Sequence, residues 1–312
     1  MASNARLRLG TRASPLARWQ AQWVAGRLAE LGIETVLVPI STRGDERRAG
    51  PIGAIGEQGV FTKELQRALI DGDIDLAVHS LKDLPTDAVA GLVLAAVPAR
   101  GPLGDVLISR SGQRFDALPR GAAVGTGSLR RRTQLWHARP DLRMEDVRGN
   151  VETRVNKLHD GDFDALVLAE AGLERLGLTG EITQRLPLSL MLPAVGQGAL
   201  GLEARADDQD TLALLSPLDD DETHRAVAAE RSMLAALRGG CLAPVGGWGR
   251  VAEGRLQLSG VVLSADGARR VFAELTGATD PIALGQAVAA DLFSQGAGEL
   301  IEGARNGGDA TE

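Results

Sequence analysis

"ALIDGDIDLAVHSLKD" (68–83) and "KLHDGDFDALVLAEAG" (157–172) repeat one plan: a helical stretch, Asp-Gly-Asp, then an apolar strand that starts at an aspartate. Each is preceded by a second echo. "LRLGTRASPLARWQAQ" (7–22) and "AAVGTGSLRRRTQLWHAR" (122–139) both read as a strand, a Gly-Thr turn, a serine N-cap and a helix. In the first copy Ser14 caps the helix, Pro15 takes its first position and Gly32 follows its end. A strand over 34–42 and a helix over 60–72 lead from there to the strand "DLAVHS" (75–80). Strands alternating with helices predict a parallel, doubly wound α/β sheet. The chain therefore reads as two lobes of one design.

Proline-marked linkers, "PARGP" (98–102) and "PLSLMLP" (187–193), bracket the second copy, and two such crossings make a hinge. After "SPLDDDE" (216–222) the pattern changes to a helix over 223–237 and strands near 245–252, 255–264 and 268–276, separated by Glu-Gly and Ala-Asp-Gly turns. This predicts a small α+β C-terminal domain with a three-stranded antiparallel sheet. Asp280-Pro281 starts a closing helix, and "NGGDATE" (306–312) is expected to be a disordered tail.

The 312 residues exceed what one hydrophobic core usually serves. Hydrophobic residues at 44% and charged residues at 24% are ordinary for a folded protein. A single cysteine excludes an internal disulfide, and four histidines beside it leave little for a metal site, so no metal is expected. The N-terminal stretch lacks an apolar leader and no run is long enough to span a membrane, which predicts a cytoplasmic protein. A net charge of −7 argues against sequence-independent nucleic-acid binding. Any anionic ligand must be held by local arginines.

A Gly-Thr-x-Ser turn between strand and helix points backbone N–H groups and the positive end of the helix dipole at one spot. A plain helix cap is the bland alternative. Arg12 beside the first turn, and Arg130, Arg131 and Arg132 directly after Ser128, put cations against the dipole, a cost that an anionic ligand would offset. Arg148, just before an Asn150 cap, and Arg154 and Arg175 beyond it extend the set; each alone is compatible with a solvated surface arginine. Together they suggest a site for several carboxylates, because guanidinium pairs bidentately with carboxylate. Lys82 and Asp83 end a buried strand at the sheet edge where open α/β folds bind ligands. Asp83 either turns the chain before Pro85 or stabilises a cation and exchanges a proton. His79 reads as a satisfied histidine. Cys241, in "LRGGCLAPVGG" (237–247), is either a small core filler or a thiol on a loop freed of bulk by Gly239 and Gly240.

Across nearly its whole length the chain resembles the porphobilinogen deaminase family, also called hydroxymethylbilane synthases. The motifs that carry the likeness include "STRGD", "GVFTKEL", "DLAVHSLKDLPT", "VGTGSLRRRTQL", "LRGNVETRVNKL", "LPAVGQGALGLE" and "AERSMLAALRGGC". The resemblance implies two lobes like those of periplasmic binding proteins, a cleft between them and a third domain. It divides the chain into a discontinuous domain 1 (1–98 and 194–217), domain 2 (103–192) and domain 3 (219–312). It implies a transferase of tetrapyrrole biosynthesis that joins four porphobilinogens with loss of ammonia and hydrolyses the product to hydroxymethylbilane.

The same resemblance implies a covalent dipyrromethane cofactor held by a thioether to Cys241, Asp83 as the catalytic aspartate, and a monomer acting on porphobilinogen with neither nucleic acid nor membrane as partner. Arg8, Arg12, Ser14, Lys82, Thr126, Ser128, Arg130, Arg131, Arg148, Arg154, Arg175 and Gln197 match the family's cofactor- and substrate-binding positions. Two departures stand out. Ala54, Glu57 and Gln58 replace a lysine-bearing loop, leaving Arg47 and Arg48 to supply its charge, and Gly127 stands where serine is common. The rival from another class is a non-catalytic two-lobed protein that captures a small carboxylate; neither the third block nor the Cys241 loop is needed for that. A cysteine-nucleophile hydrolase would need a base near Cys241, and its local sequence holds no histidine.

Overall fold

The computed structural model describes residues 6–40, 62–240, 243–277 and 280–307. From the N-terminus come β1 (Leu7–Arg12), α1 (Pro15–Glu30), β2 (Thr35–Ile40), α2 (Lys63–Ile70), β3 (Leu76–Ser80) and β4 (Leu92–Ala96). There follow β5 (Asp105–Ser109), β6 (Ala123–Gly125), α3 (Leu129–Ala138), β7 (Arg143–Glu145), α4 (Val151–His159), β8 (Ala165–Ala169), α5 (Glu170–Arg175) and β9 (Gln184–Arg185). The last stretch holds β10 (Leu200–Arg205), α6 (Gln209–Leu215), α7 (Asp221–Ala236), β11 (Val245–Ala252), β12 (Arg255–Leu263), β13 (Arg270–Gly277), α8 (Pro281–Ser294) and α9 (Ala297–Gly307). Part of the expected disordered tail, Asn306 and Gly307, ends α9; the remainder lies outside the described residues.

Two compact units emerge, Met1–Arg100 with Ala199–His224, and Gly101–Gly198 with Arg225–Glu312. The first holds a five-stranded sheet in the order β2-β1-β3-β10-β4. Strands β2, β1 and β3 are parallel, and β10 runs antiparallel between β3 and β4. The second unit repeats this order as β7-β6-β8-β5-β9, with β5 as the antiparallel member. The parallel, doubly wound sheet expected from the sequence is present in both copies with one antiparallel strand added to each. In each, the odd strand, β5 or β10, opens a segment that follows a crossing, so no helical crossover obliges it to run with its neighbours.

The Asp-Gly-Asp echo has a structural cause. Gly72 and Gly161 take left-handed φ of 75° and 95° to end α2 and α4. Each motif then delivers an aspartate to the foot of a sheet. Asp75 accepts the Arg8 N–H at 2.9 Å and Asp164 accepts the Ala123 N–H at 2.8 Å. Their own N–H groups donate back to the Arg8 and Ala123 carbonyls at 2.9 Å. The same clamp therefore sets the register of the third strand against the first in both sheets.

Leu9, Val24, Leu28, Leu76 and Leu202 form the first unit's core. In the second, Leu107, Val124, Leu135 and Val167 form one cluster, and Met233, Leu256, Leu258, Val262, Val288 and Leu292 another beneath the sheet β11-β12-β13. That sheet is antiparallel throughout, as expected. Leu192 packs against Val261 and Leu263 on it, and His137 Nδ1 of α3 lies 2.9 Å from the Gly267 carbonyl in its β12–β13 turn. The C-terminal block and the second lobe thus buttress each other.

Within the second unit the segments around Gly101 and Gly198 lie side by side. The Gly101 N–H donates to the Gly198 carbonyl at 3.2 Å. Gly198 has φ 85°, and a Cβ there would sit 2.7 Å from the carbonyl oxygens of both Gly101 and Pro102. Gly198→Ala is expected to cost about 2–4 kcal/mol through left-handed strain and backbone collision. A thermal melt should show a midpoint lowered by several degrees; an unchanged midpoint would contradict the close approach.

Candidate functional site

In the first unit the candidate residues gather at the C-terminal ends of β1 and β3. Leu9 lies level with Leu76 and Gly10 with Ala77, so Arg12 and Ser80 close neighbouring strands. Ser14 caps α1, accepting the Ala17 N–H at 3.3 Å, as the sequence suggests. Buried Gln20 of α1 donates to Ser80 Oγ at 2.8 Å and ties the helix to the end of β3. A 3₁₀ turn, Leu81–Asp83, follows at once. Leu81 and Leu84 are buried on either side of it, and the Leu81 N–H donates to the Ala199 carbonyl at 3.0 Å. Anchored on both flanks, the turn leaves Lys82 half-buried and Asp83 exposed.

His79 is the satisfied histidine expected, and it is buried. Its Nε2 lies 3.0 Å from Glu203 Oε2, while Gln66 Nε2 donates to Glu203 Oε1 at 3.0 Å. Arg8 belongs elsewhere. It lies four residues before Arg12 on β1, about 13 Å away along a strand, and its guanidinium donates to Asp75 at 3.0 and 2.6 Å and to the Gly72 carbonyl at 2.7 Å. The hydrogen bond to Asp75 raises the Arg8 pKa above its ordinary value. At position 8, which the family likeness offered as a ligand arginine, the structure thus shows a brace at the foot of the sheet.

In the second unit Thr126, Ser128, Arg130 and Arg131 surround the start of α3. Ser128 accepts the Arg131 N–H at 3.5 Å and donates its own N–H to buried Thr126 Oγ1 at 3.2 Å. Gly127 fits this turn because a Cβ would lie 2.9 Å from the Val147 carbonyl. Arg130 and Arg131 are 4% and 6% exposed, and both bind one carboxylate that sequence reasoning missed. Asp105, 1% exposed at the start of β5, accepts from Arg130 Nη1 at 2.8 Å and from Arg131 Nε at 2.9 Å. Gln197, also buried, donates to Asp105 at 3.1 Å and to the Leu103 carbonyl at 2.7 Å. An acidic residue opening an otherwise apolar strand was the signal available for Asp105.

Burial would raise the Asp105 carboxyl, but the adjoining Arg130 and Arg131 charges and their hydrogen bonds outweigh it and hold it at about 2. Burial, with like charge from Arg131, pulls Arg130 below its ordinary value. Arg130 Nη1 also donates to the Leu192 carbonyl at 2.7 Å, whereas Arg130 Nε is buried with no hydrogen-bond partner among the described residues. Arg131 Nη1 reaches the Val167 carbonyl at 3.3 Å.

The remaining arginines mark neighbouring element ends. Half-buried Arg148 precedes the Asn150 cap, which accepts the Thr153 N–H at 2.8 Å, and Arg154 Nε donates to the Gly149 carbonyl at 2.8 Å. Arg175 Nη2 donates to the Gly198 carbonyl at 2.7 Å, and burial lowers its pKa. Cys241 lies outside the described residues, as do Arg47, Arg48, Ala54, Glu57 and Gln58. Before Cys241, Arg238 and Gly240 carry the chain out of α7 at positive φ of 51° and 64°, and Gly239 is packed so that a Cβ would meet Leu234 at 2.9 Å.

Residues 7–213 match the family model "Porphobilinogen deaminase, dipyromethane cofactor binding domain", and residues 224–294 match "Porphobilinogen deaminase, C-terminal domain". The porphobilinogen deaminase of Desulforudis audaxviator is 51% identical over 302 residues, 96% of this chain and 98% of that one. Those of Brevibacillus brevis and Acidithiobacillus ferrooxidans are 47% and 48% identical, over 94% and 96% of this chain and 96% and 98% of theirs. Among solved structures, the Methionine Binding Protein MetQ aligns at a TM-score of 0.44 with 14% identity, over 73% of this chain and 96% of that one.

Because the folded Asp105 value is depressed to about 2 from 3.8, its contribution to stability is whole above the unfolded value and is lost as pH falls through the folded one. Roughly 2 kcal/mol should vanish between pH of about 4 and about 2. The difference between wild type and Asp105→Asn in urea midpoint, followed across that window, should shrink accordingly; a constant difference would contradict the geometry.

Proposed function

The chain belongs to the porphobilinogen deaminase family, and on that premise we propose how its residues divide the work. The enzyme is a transferase, a hydroxymethylbilane synthase: it joins four porphobilinogens with release of ammonia and hydrolyses the product to hydroxymethylbilane. Its cofactor is a dipyrromethane. When bound, that group supplies the pyrrole end to which each new unit is joined.

The donor set fits such a group. A dipyrromethane made from porphobilinogen carries acetate and propionate side chains, and the second lobe offers two arginines on one carboxylate, with Arg130 Nε buried and lacking a partner among the described residues. A buried cation in excess of its counter-ion calls for an anion. Thr126, Ser128, Arg130 and Arg131 are proposed to hold cofactor carboxylates, with Cys241 as the attachment point. Arg12, Ser14, Lys82, Arg148, Arg154 and Arg175 are proposed to bind the carboxylates of incoming substrate. Gln197 supports the arrangement by bracing Asp105.

Asp83 is proposed as the catalytic carboxylate. The observation that carries this is its exposed position on a 3₁₀ turn pinned by buried Leu81 and Leu84 at the C-terminal edge of the sheet. A carboxylate so held needs no reorganisation to stabilise positive charge that develops on the substrate as ammonia leaves, or to pass a proton at its Oδ atoms. The proposal includes the division into 1–98 with 194–217, 103–192 and 219–312. It also includes a cytoplasmic monomer: a single cysteine suits a reducing compartment, and sedimentation at the mass of one chain would support the monomer.

Asp83→Asn should lower turnover at least 10²-fold, within the range usual for a lost acid–base group, while leaving the melting midpoint within about a degree of wild type because the side chain is exposed. Turnover within a factor of about two of wild type, measured as porphobilinogen consumed, would remove Asp83 from the chemistry.

A further inference from the structure

Asp105 shares one carboxylate between two arginines, and all three side chains are buried. One negative charge against two positive charges leaves the cluster with an excess of one. The geometry distributes that excess unevenly. Arg131 is spent on Asp105 Oδ1 and the Val167 carbonyl. Arg130 is fixed through Nη1 alone, by Asp105 Oδ2 and the Leu192 carbonyl, leaving Nε buried with no partner among the described residues. Asp105 is itself fixed from a third side by Gln197 Nε2, which also holds the Leu103 and Gly104 carbonyls at 2.7 and 3.2 Å. Gln134 completes the frame: it accepts the Leu192 N–H at 2.9 Å and returns a bond to the Leu192 carbonyl at 3.1 Å.

Partly exposed Asp75 can share Arg8 and Arg205 because water reaches them. In a fully buried cluster that merely stabilised the fold the charges would balance, since an uncompensated buried charge is costly. Here the surplus cation lies at the N-terminal turn of α3, a ten-residue helix whose dipole adds positive potential at the same place. We propose that Asp105 is a positioning residue for anion recognition: it locks both guanidiniums while cancelling only one of their charges, so that the start of α3 presents one fixed positive charge to a carboxylate of the dipyrromethane. This rests on the family reading above and adds to it a residue that touches neither cofactor nor substrate.

The test is cofactor loading, read by intact mass on the full-length chain, beside a thermal melt. Wild type should carry covalent excess mass. Asp105→Asn, purified well below its melting midpoint, should be folded by circular dichroism yet loaded at least about tenfold less, and its apo form should gain mass from added porphobilinogen at least about tenfold more slowly. Leu107→Ala, a core truncation on the same strand β5 at a fully buried position, controls for lost stability and should load fully. If Asp105→Asn does not fold, Asp105→Glu, which keeps the charge but displaces it by one methylene, is read the same way and should load slowly. Asp105→Asn or Asp105→Glu loading like wild type would overturn the proposal, as would Leu107→Ala loading as poorly as they do. Wild type without excess mass would instead overturn the attachment reading on which the proposal stands.

Discussion

The carboxylate of Asp105 carries the second unit's organisation. It sits at the first residue of β5 and gathers the start of α3 through Arg130 and Arg131, and the 192–198 segment through Gln197. Arg130 and Gln134 fasten the same segment at Leu192. A buried cluster of this kind has no intrinsic stability advantage over apolar packing. What it supplies is a fixed location for charge, which an apolar core cannot. The crossing strand, the helix that bears Arg130 and Arg131 and the returning segment all meet at one acid, so strain at any of them reaches the two guanidiniums.

The first unit solves a different problem with similar means. Its exposed acid, Asp83, is held by apolar anchors: Leu81 and Leu84 bury the flanks of a short turn, and Gln20 ties Ser80 to α1. At the opposite end of the same sheet Asp75 binds Arg8 and is also reached by Arg205 at 3.4 Å, closing the foot where β1 and β3 begin. Arginines thus appear at both ends of β1 with different work. Arg8 is consumed by a carboxylate of the fold, whereas Arg12 lies at the end where the chain turns into α1 and where Asp83 stands.

Much of this was legible in the sequence because the signals are local. Ser14, Ser128 and Asn150 each sit one residue before a helix and cap it, and the Asp-Gly-Asp echo marked both the duplication and the strands that follow. The C-terminal strands were readable from their turns to within a residue or two. What stayed hidden depends on partners far along the chain. Strands β4 and β5 are short runs, apolar but for their ends, without flanking helical pattern, and the antiparallel placement of β5 and β10 follows from crossings that no local window records. Asp105 is an acid in such a run, and its meaning lies in Arg130 and Arg131, 25 and 26 residues away. Arg8 entered the candidate set only through the family likeness, and its pairing with Asp75, 67 residues on, is likewise something no local window records.

The central claim is that an arginine-bearing lobe holds a polycarboxylate group that is permanently attached to the chain at Cys241. Intact mass spectrometry of the purified wild type beside Cys241→Ser tests it most directly. The account predicts a wild type heavier than its sequence by a dipyrromethane, and Cys241→Ser at the mass of its sequence alone. Two proteins both at sequence mass, or a Cys241→Ser variant that keeps the excess, would contradict it.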